Sequence, residues 1–142
     1  MLDIFGLRKK IHTPKILVVE DEPDLAQTVQ DRLEMDKYRV ILASDGRQGL
    51  EIAIRQKPDL ILLDVNMPVM DGFQMLEALR KTPSTADCPV IMVTVRSQKD
   101  DIARAEAAGV DDYIVKPFDF PQLLQKIDAI LEKRSHSHTK PH

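Results

Sequence analysis

Five short aliphatic runs punctuate the chain: Ile16-Leu-Val-Val19, Val40-Ile-Leu-Ala43, Leu60-Ile-Leu-Leu63, Val90-Ile-Met-Val93 and Tyr113-Ile-Val115. They are continuous rather than alternating, which predicts strands covered on both faces, as in a parallel sheet. Between them the apolar residues fall at helical spacing. Leu25, Val29 and Leu33 share one face, Leu50, Ala53 and Ile54 a second, Phe73, Leu76 and Leu79 a third, and Leu123, Leu124, Ile127, Ile130 and Leu131 a fourth. The stretch Lys99 to Ala108 has Ile102 as its one large apolar residue and otherwise relies on Ala105 and Ala108, so it is expected to pack thinly.

Punctuation agrees with this alternation. Pro23 suits a first helical turn, Gly109 the position just beyond a helix end, and Asp119 the cap of a helix begun by Pro121. Strand and helix alternate five times, which predicts an α/β domain with right-handed crossovers and helices on both faces of the sheet. The expected layout is an N-terminal extension over 1–13, one domain over 14–134, and a flexible polar tail over 135–142.

Length changes the picture only by confining it: 142 residues hold one core and leave no room for a second domain. The single cysteine, Cys88, cannot form an internal disulfide and reads as an ordinary loop thiol in a reducing compartment. Apolar runs of four or five residues are too short to span a bilayer, and the first residues lack the features of a cleaved leader, so a cytoplasmic protein is expected. A net charge of −3 with both signs scattered argues against nucleic acid as the partner. Arg8-Lys9-Lys10 after Ile4-Phe5-Gly6-Leu7 is too short an apolar turn to imply a membrane surface. His136, His138 and His142 read as a solvated end rather than a metal site.

Ligands of open parallel sheets bind beyond the carboxyl ends of the strands. Glu20, Asp21 and Glu22 follow the first run, Asp64 and Asn66 the third, Thr94 the fourth, and Lys116 and Pro117 the fifth. Taken singly, each has a bland reading: Asp64 as turn punctuation, Lys116 as a surface lysine, Thr94 as a strand-end hydroxyl, and Tyr113 as a half-buried aromatic. Met67, Met70 and Met75 read as packing. Taken together, three carboxylates that would repel one another without a cation face a lysine and a hydroxyl. Such a pocket suits Mg²⁺ and a phosphoryl group, with Asp64 as a candidate nucleophile.

The ordered set KILVVEDEPD, LILLDVNMPVMDG, VIMVT and YIVKPF resembles the receiver domain of two-component response regulators, from Lys15 to about Arg134. The resemblance implies a flavodoxin-like, doubly wound five-stranded parallel sheet of order 2-1-3-4-5 with five helices. It implies that Asp64 is phosphorylated by a histidine kinase or phosphotransfer protein and that the adduct later hydrolyses without a separate enzyme. Mg²⁺ would be held by Asp21, Asp64 and the backbone carbonyl of Asn66, with Glu20 acting through water. Thr94 and Lys116 would engage the phosphoryl group, Thr94 and Tyr113 would form the switch, and Pro117 would follow a cis peptide bond.

Output would pass to a target protein, or to a second copy of the chain, through the face of the fourth helix, fifth strand and fifth helix. Two departures stand out: Glu20 replaces the more usual Asp, and Val95 is bulkier than the residue that usually follows the threonine, which would narrow access. A receiver-like module that binds without being phosphorylated is one alternative. A Mg²⁺-dependent phosphatase or a Toprim-type enzyme is another, and Asn66 disfavours both because each wants a second aspartate there.

Overall fold

Side chains along each central strand alternate between two separate cores, and that division organises the molecule. The computed structural model describes residues 13–139, with side chains described through 135. The strands are β1 (Lys15–Val19), β2 (Arg39–Ala43), β3 (Leu60–Leu63), β4 (Val90–Thr94) and β5 (Asp112–Val115). The helices are α1 (Pro23–Met35), α2 (Gly46–Gln56), α3 (Gly72–Lys81), α4 (Lys99–Ala107) and α5 (Phe120–Thr139). All pairings are parallel and the order is β2-β1-β3-β4-β5, the expected doubly wound, flavodoxin-like arrangement.

One core contains Leu17, Val19, Ile61, Leu63 and Met92 against α2, α3 and α4. The other contains Ile16, Val18, Leu60, Leu62, Ile91, Val93 and Ile114 against α1 and α5. Each fully buried aliphatic side chain contributes about 1.5–3 kcal/mol, so β1, β3 and β4 form the rigid centre. β2 and β5 lie at the sheet edges and are only partly covered. The expectation of strands buried on both faces therefore holds for the three inner strands alone.

Helix ends follow local chemistry. Asp71 and Gln74 form a reciprocal capping box at α3, Asp45 accepts from the Gln48 amide at α2, and Asp119 accepts from the Gln122 amide at α5. On α2 the inward residue is Ile52, while Ile54 is 40% exposed, which corrects the expected face. The cause is Gly46 and Gly49, both buried, which bring the helix down on the side that carries Ile52 and Ala53. α4 packs thinly as expected, with Ala105 its one buried residue. α5 continues to Thr139, into the stretch expected as a tail. The Ile4 to Lys10 segment and the side chains of His136, His138 and His142 lie outside the described residues. No helix among the described residues is long and apolar enough to cross a membrane.

Arg80 joins parts of the chain that the sequence gives no reason to connect. Its guanidinium donates to the carbonyls of Ala86 (3.2 Å), Cys88 (2.7 Å) and Gly109 (2.8 Å) and pairs with Asp111 at 3.1 Å. Asp111 in turn accepts from the Val90 amide. Cys88 is a free thiol in the loop before β4 as expected, but it is buried rather than ordinary, and burial pushes its pKa up to about 11.

The loop between β3 and α3 is fixed by two opposite backbone demands. A Cβ on Gly72 would stand 2.3 Å from the Asp64 carbonyl oxygen and 2.7 Å from Val65 Cα, so only glycine lets α3 begin against the end of β3. Val69 sits at φ +70, where a β-branched residue is strained, inside a turn closed by the Met70 amide on the Pro68 carbonyl at 2.7 Å. Gly72→Ala is expected to destabilise the fold by about 1–3 kcal/mol. Val69→Gly, at a residue 75% exposed, should stabilise it by about 1 kcal/mol. Urea unfolding of both variants checks the pair, and equal signs would overturn this account of the loop.

Candidate functional site

The register Val19↔Leu63 makes Glu20 and Asp64 the next residues on adjacent strands, at the point where the strand order reverses. The Asp64 amide donates to the Val19 carbonyl (3.1 Å) and the Glu20 amide to the Ala43 carbonyl (3.0 Å), so both backbones are held by the sheet. Both residues are only 7% exposed. Lys116 arrives from β5, its own amide bonded to the Thr94 carbonyl at 2.8 Å. Its ammonium donates to Glu20 Oε1 at 2.7 Å and to Asp64 Oδ2 at 3.0 Å.

The remaining oxygens take backbone donors. The Glu22 amide reaches Glu20 Oε2 at 3.1 Å, and the Asn66 amide reaches Asp64 Oδ1 at 3.3 Å. Asp21 is exposed beside them. Two carboxylates against one ammonium leave the buried part of the site with excess acid. Burial raises the Glu20 pKa, the charge of Asp64 raises it further, and the bond from Lys116 offsets this only in part. For Lys116, burial works to lower the pKa, but its bonds to Glu20 and Asp64 prevail and hold it above the ordinary lysine value. Both groups therefore grip their protons, as expected where negative charge is in surplus.

A small hard cation would relieve that surplus. Glu20, Asp21 and Asp64 each offer a carboxylate oxygen, and these atoms lie within 4.8 Å of one another. Octahedral Mg²⁺, with oxygens at about 2.1 Å, spaces its ligands about 3–4.2 Å apart, so the trio fits with slight closing. The donor set is all oxygen, which suits Mg²⁺ rather than a soft metal.

Thr94 is fully buried, and its hydroxyl accepts from the Arg96 amide at 3.4 Å. Tyr113 is half-buried and donates to the Arg96 carbonyl at 2.8 Å. Burial, with Asp101 adding, raises its pKa, while Arg96 works against the rise. The Lys116–Pro117 peptide bond is cis. The structure thus gathers Glu20, Asp21, Asp64 and Lys116 into one cluster, with Asn66 bonded to Asp64 and Thr94 and Tyr113 joined through Arg96. Val95 is exposed rather than packed among these residues.

Arg96 has a larger part than the sequence suggested. Its side chain donates to Asn66 Oδ1 (3.0 Å) and Asp101 Oδ1 (3.0 Å), and its guanidinium lies 5.9 Å from the centre of the Phe73 ring. Its place two residues beyond Thr94 was a signal of proximity, but not of these partners.

The model of the response regulator receiver domain matches residues 16–128. The DNA-binding dual master transcriptional regulator RpaA of Synechocystis is 40% identical over 120 residues, 84% of this chain and 50% of RpaA. The chain spans about half the length of the curated relatives it matches. Since one relative is a DNA-binding protein, the relatives do not support the expected absence of a nucleic-acid partner. Among solved structures, Vibrio cholerae CheY4 superposes with TM-score 0.80 at 33% identity, covering 84% of this chain and 99% of that one. The receiver domain of sensor histidine kinase PA1611 from Pseudomonas aeruginosa, solved with a magnesium ion coordinated in its active site cleft, gives 0.79 at 31% identity, covering 85% and 99%.

The acid surplus has a measurable sign. Glu20 binds its proton more tightly folded than at its ordinary value of 4.5, so its contribution to stability is complete below that pH and is lost as pH rises through the folded value. In metal-free protein, wild type should therefore lose melting temperature relative to Glu20→Gln from pH 4.5 toward neutrality. Asp64→Asn should be more stable than wild type near neutrality by about 1 kcal/mol or more, and so melt higher, and Mg²⁺ should stabilise wild type and erase that advantage. Parallel melting curves across pH, with no response to Mg²⁺, would remove the basis for a cation site.

Proposed function

Because this chain belongs to the response regulator receiver domain family of two-component systems, we propose that Asp64 accepts a phosphoryl group from a histidine kinase or phosphotransfer protein, and that the adduct changes which surface the domain offers to a partner. The observation that carries this is the Lys116 ammonium held between Glu20 and Asp64 at the carboxyl ends of the strands. Residues gathered there for structure alone would be expected to balance their charges. These leave room for a divalent cation and for an anion.

In this reading an Asp64 carboxylate oxygen attacks phosphorus, the bond from phosphorus to the donor imidazole nitrogen breaks, and the nitrogen keeps the electron pair. Phosphoryl transfer demands little of the protein beyond positioning and charge stabilisation. Positioning comes from β3 beneath Asp64 and from the Asn66 amide on Oδ1. Lys116 passes from the carboxylates to a phosphoryl oxygen, and the Thr94 hydroxyl turns to donate to another. Asp21, Asp64, the Asn66 carbonyl and, through water, Glu20 would hold Mg²⁺. When bound, Mg²⁺ supplies the charge neutralisation that lets an anionic donor approach this acidic site. Loss of the phosphoryl group to water returns the domain to its first state.

Turning Thr94 gives up its bond from the Arg96 amide, and Tyr113 shares that same residue through its carbonyl. The consequence would be felt across α4, β5 and α5, the proposed face for a target protein or a second copy of the chain. The chain is a phosphoacceptor in this reading, not an enzyme acting on a separate substrate. A cytoplasmic setting follows for a partner of an intracellular kinase domain. Asn66, where phosphatase-type and Toprim-type sites want a second aspartate, keeps those readings behind this one.

Incubation with acetyl phosphate and Mg²⁺ should add one phosphoryl mass to wild type, and omission of Mg²⁺ or the Asp64→Asn substitution should abolish the gain. No adduct from acetyl phosphate or from any histidine phosphodonor would leave a receiver fold used for binding alone. Lys116→Ala should retain Mg²⁺ binding but fail to change amide exchange along α4, β5 and α5 when phosphorylated. An unaltered response in that variant would refute the assigned role of Lys116.

A further inference from the structure

We propose that Arg96 is a latch holding the β4–α4 loop and α4 in the arrangement seen here, so that it sets how readily the domain passes to its phosphorylated conformation. The inference rests on Asp64 as the phosphoacceptor. Arg96 contacts both switch residues, the loop after Asp64 and the start of α4. Its amide donates to the Thr94 hydroxyl, its carbonyl accepts from Tyr113, and its side chain spans from Asn66, two residues after Asp64, to Asp101 in the first turn of α4.

What the latch holds is weakly held otherwise. α4 buries one residue, Ala105, whereas α3 buries Gly72, Phe73, Met75, Leu76 and Leu79. On α3, Phe73 has the guanidinium of Arg104 at 4.2 Å and that of Arg96 at 5.9 Å from its ring centre. Polar contacts to two arginines thus replace much of the apolar packing that fixes the other helices. Elements with few buried apolar contacts open at low free energy, so one side chain can weigh on their equilibrium.

The direction follows from the geometry. Thr94 cannot turn toward Asp64 while its hydroxyl accepts from Arg96, and the loop that carries Arg96 cannot shift while the guanidinium fork is anchored at both ends. Because the two guanidinium bonds exist in the state seen here, removing them favours the other state, and a phosphoryl group that prefers that state binds better. The Arg96 side chain is 44% exposed, so its loss leaves no buried cavity. Asp101 also approaches Tyr113 closely enough to raise its pKa, which places the second anchor beside the switch.

Trifluoroberyllate, which mimics a phosphoryl group on a carboxylate, gives the test at saturating Mg²⁺ on wild type, Arg96→Ala and Arg96→Lys. Amide exchange over residues 94–102 is read in parallel without ligand. Both variants should bind trifluoroberyllate about threefold or more tightly, exchange faster over 94–102, and bind Mg²⁺ alone as wild type does. The lysine cannot span both anchors, so it should behave like alanine. Weaker binding in Arg96→Ala, restored by lysine, would make Arg96 a phosphoryl-binding cation and overturn the latch. Faster exchange with unchanged affinity would overturn the coupling, and unchanged exchange would overturn the hold on the loop. Failure of wild type itself to bind trifluoroberyllate would instead strike the phosphoacceptor reading, with the exchange arm still deciding whether Arg96 restrains α4.

Discussion

The Lys116 ammonium, shared between Glu20 at 2.7 Å and Asp64 at 3.0 Å, is the interaction around which the molecule is arranged. Burying a charge is costly unless it is paired and hydrogen-bonded, and here two carboxylates have one ammonium between them. The backbone supplies part of the difference through the Glu22 and Asn66 amides. It can do so because a parallel sheet ends its strands at one edge, where the chain leaves the ladder and its amides become available. The adjacent strands β1 and β3 then set two acids side by side, and β5 sends a lysine across to meet them. An antiparallel sheet would scatter the same residues over both ends.

A site with surplus charge needs rigid support on one side and freedom on the other, and the packing provides both. β1, β3 and β4 are buried along nearly their whole length, with two independent cores clamping the sheet. Toward β5 the cover thins: the strand is partly exposed, α4 contributes a single buried alanine, and ion pairs such as Lys126 with Asp112 at 2.9 Å take over. Apolar packing is non-directional and tolerates no gap, whereas exposed ion pairs contribute little and exchange partners easily. The acids are therefore fixed on the stiff part of the molecule, while Tyr113 and α4 lie on the part that is thinly covered.

The sequence carried much of this because burial leaves a plain mark. Strands covered on both faces show as aliphatic runs, and the acids, Thr94 and Lys116 show as the polar residues that end them. The sheet order came from resemblance, since no single run states its neighbour. Ile52 and Ile54 are chemically alike, and which one faces inward depends on how closely α2 sits down through Gly46 and Gly49. The burial of Cys88 was not legible because its covering comes from distant residues, with its thiol 3.4 Å from the Pro58 carbonyl. Arg80 and Arg96 were not legible as hubs because a long side chain can reach many partners, and local pattern does not say which it takes.

The loop after Asp64 shows how these layers meet. Gly72 lets α3 start against the Asp64 carbonyl, which pins the backbone just beyond Asp64. Three residues earlier Val69 holds a positive φ and leaves its side chain exposed. Such strain persists only where surrounding contacts over-determine the backbone, and here the Gly72 amide on the Val65 carbonyl and the Met70 amide on the Pro68 carbonyl hold the loop at both ends. Asn66 lies in this strained segment and takes the Arg96 side chain from the neighbouring loop. Asp64 is thus bonded first to a backbone with little room to relax, and through Asn66 that backbone connects to the exposed arginine and on to Asp101 of α4.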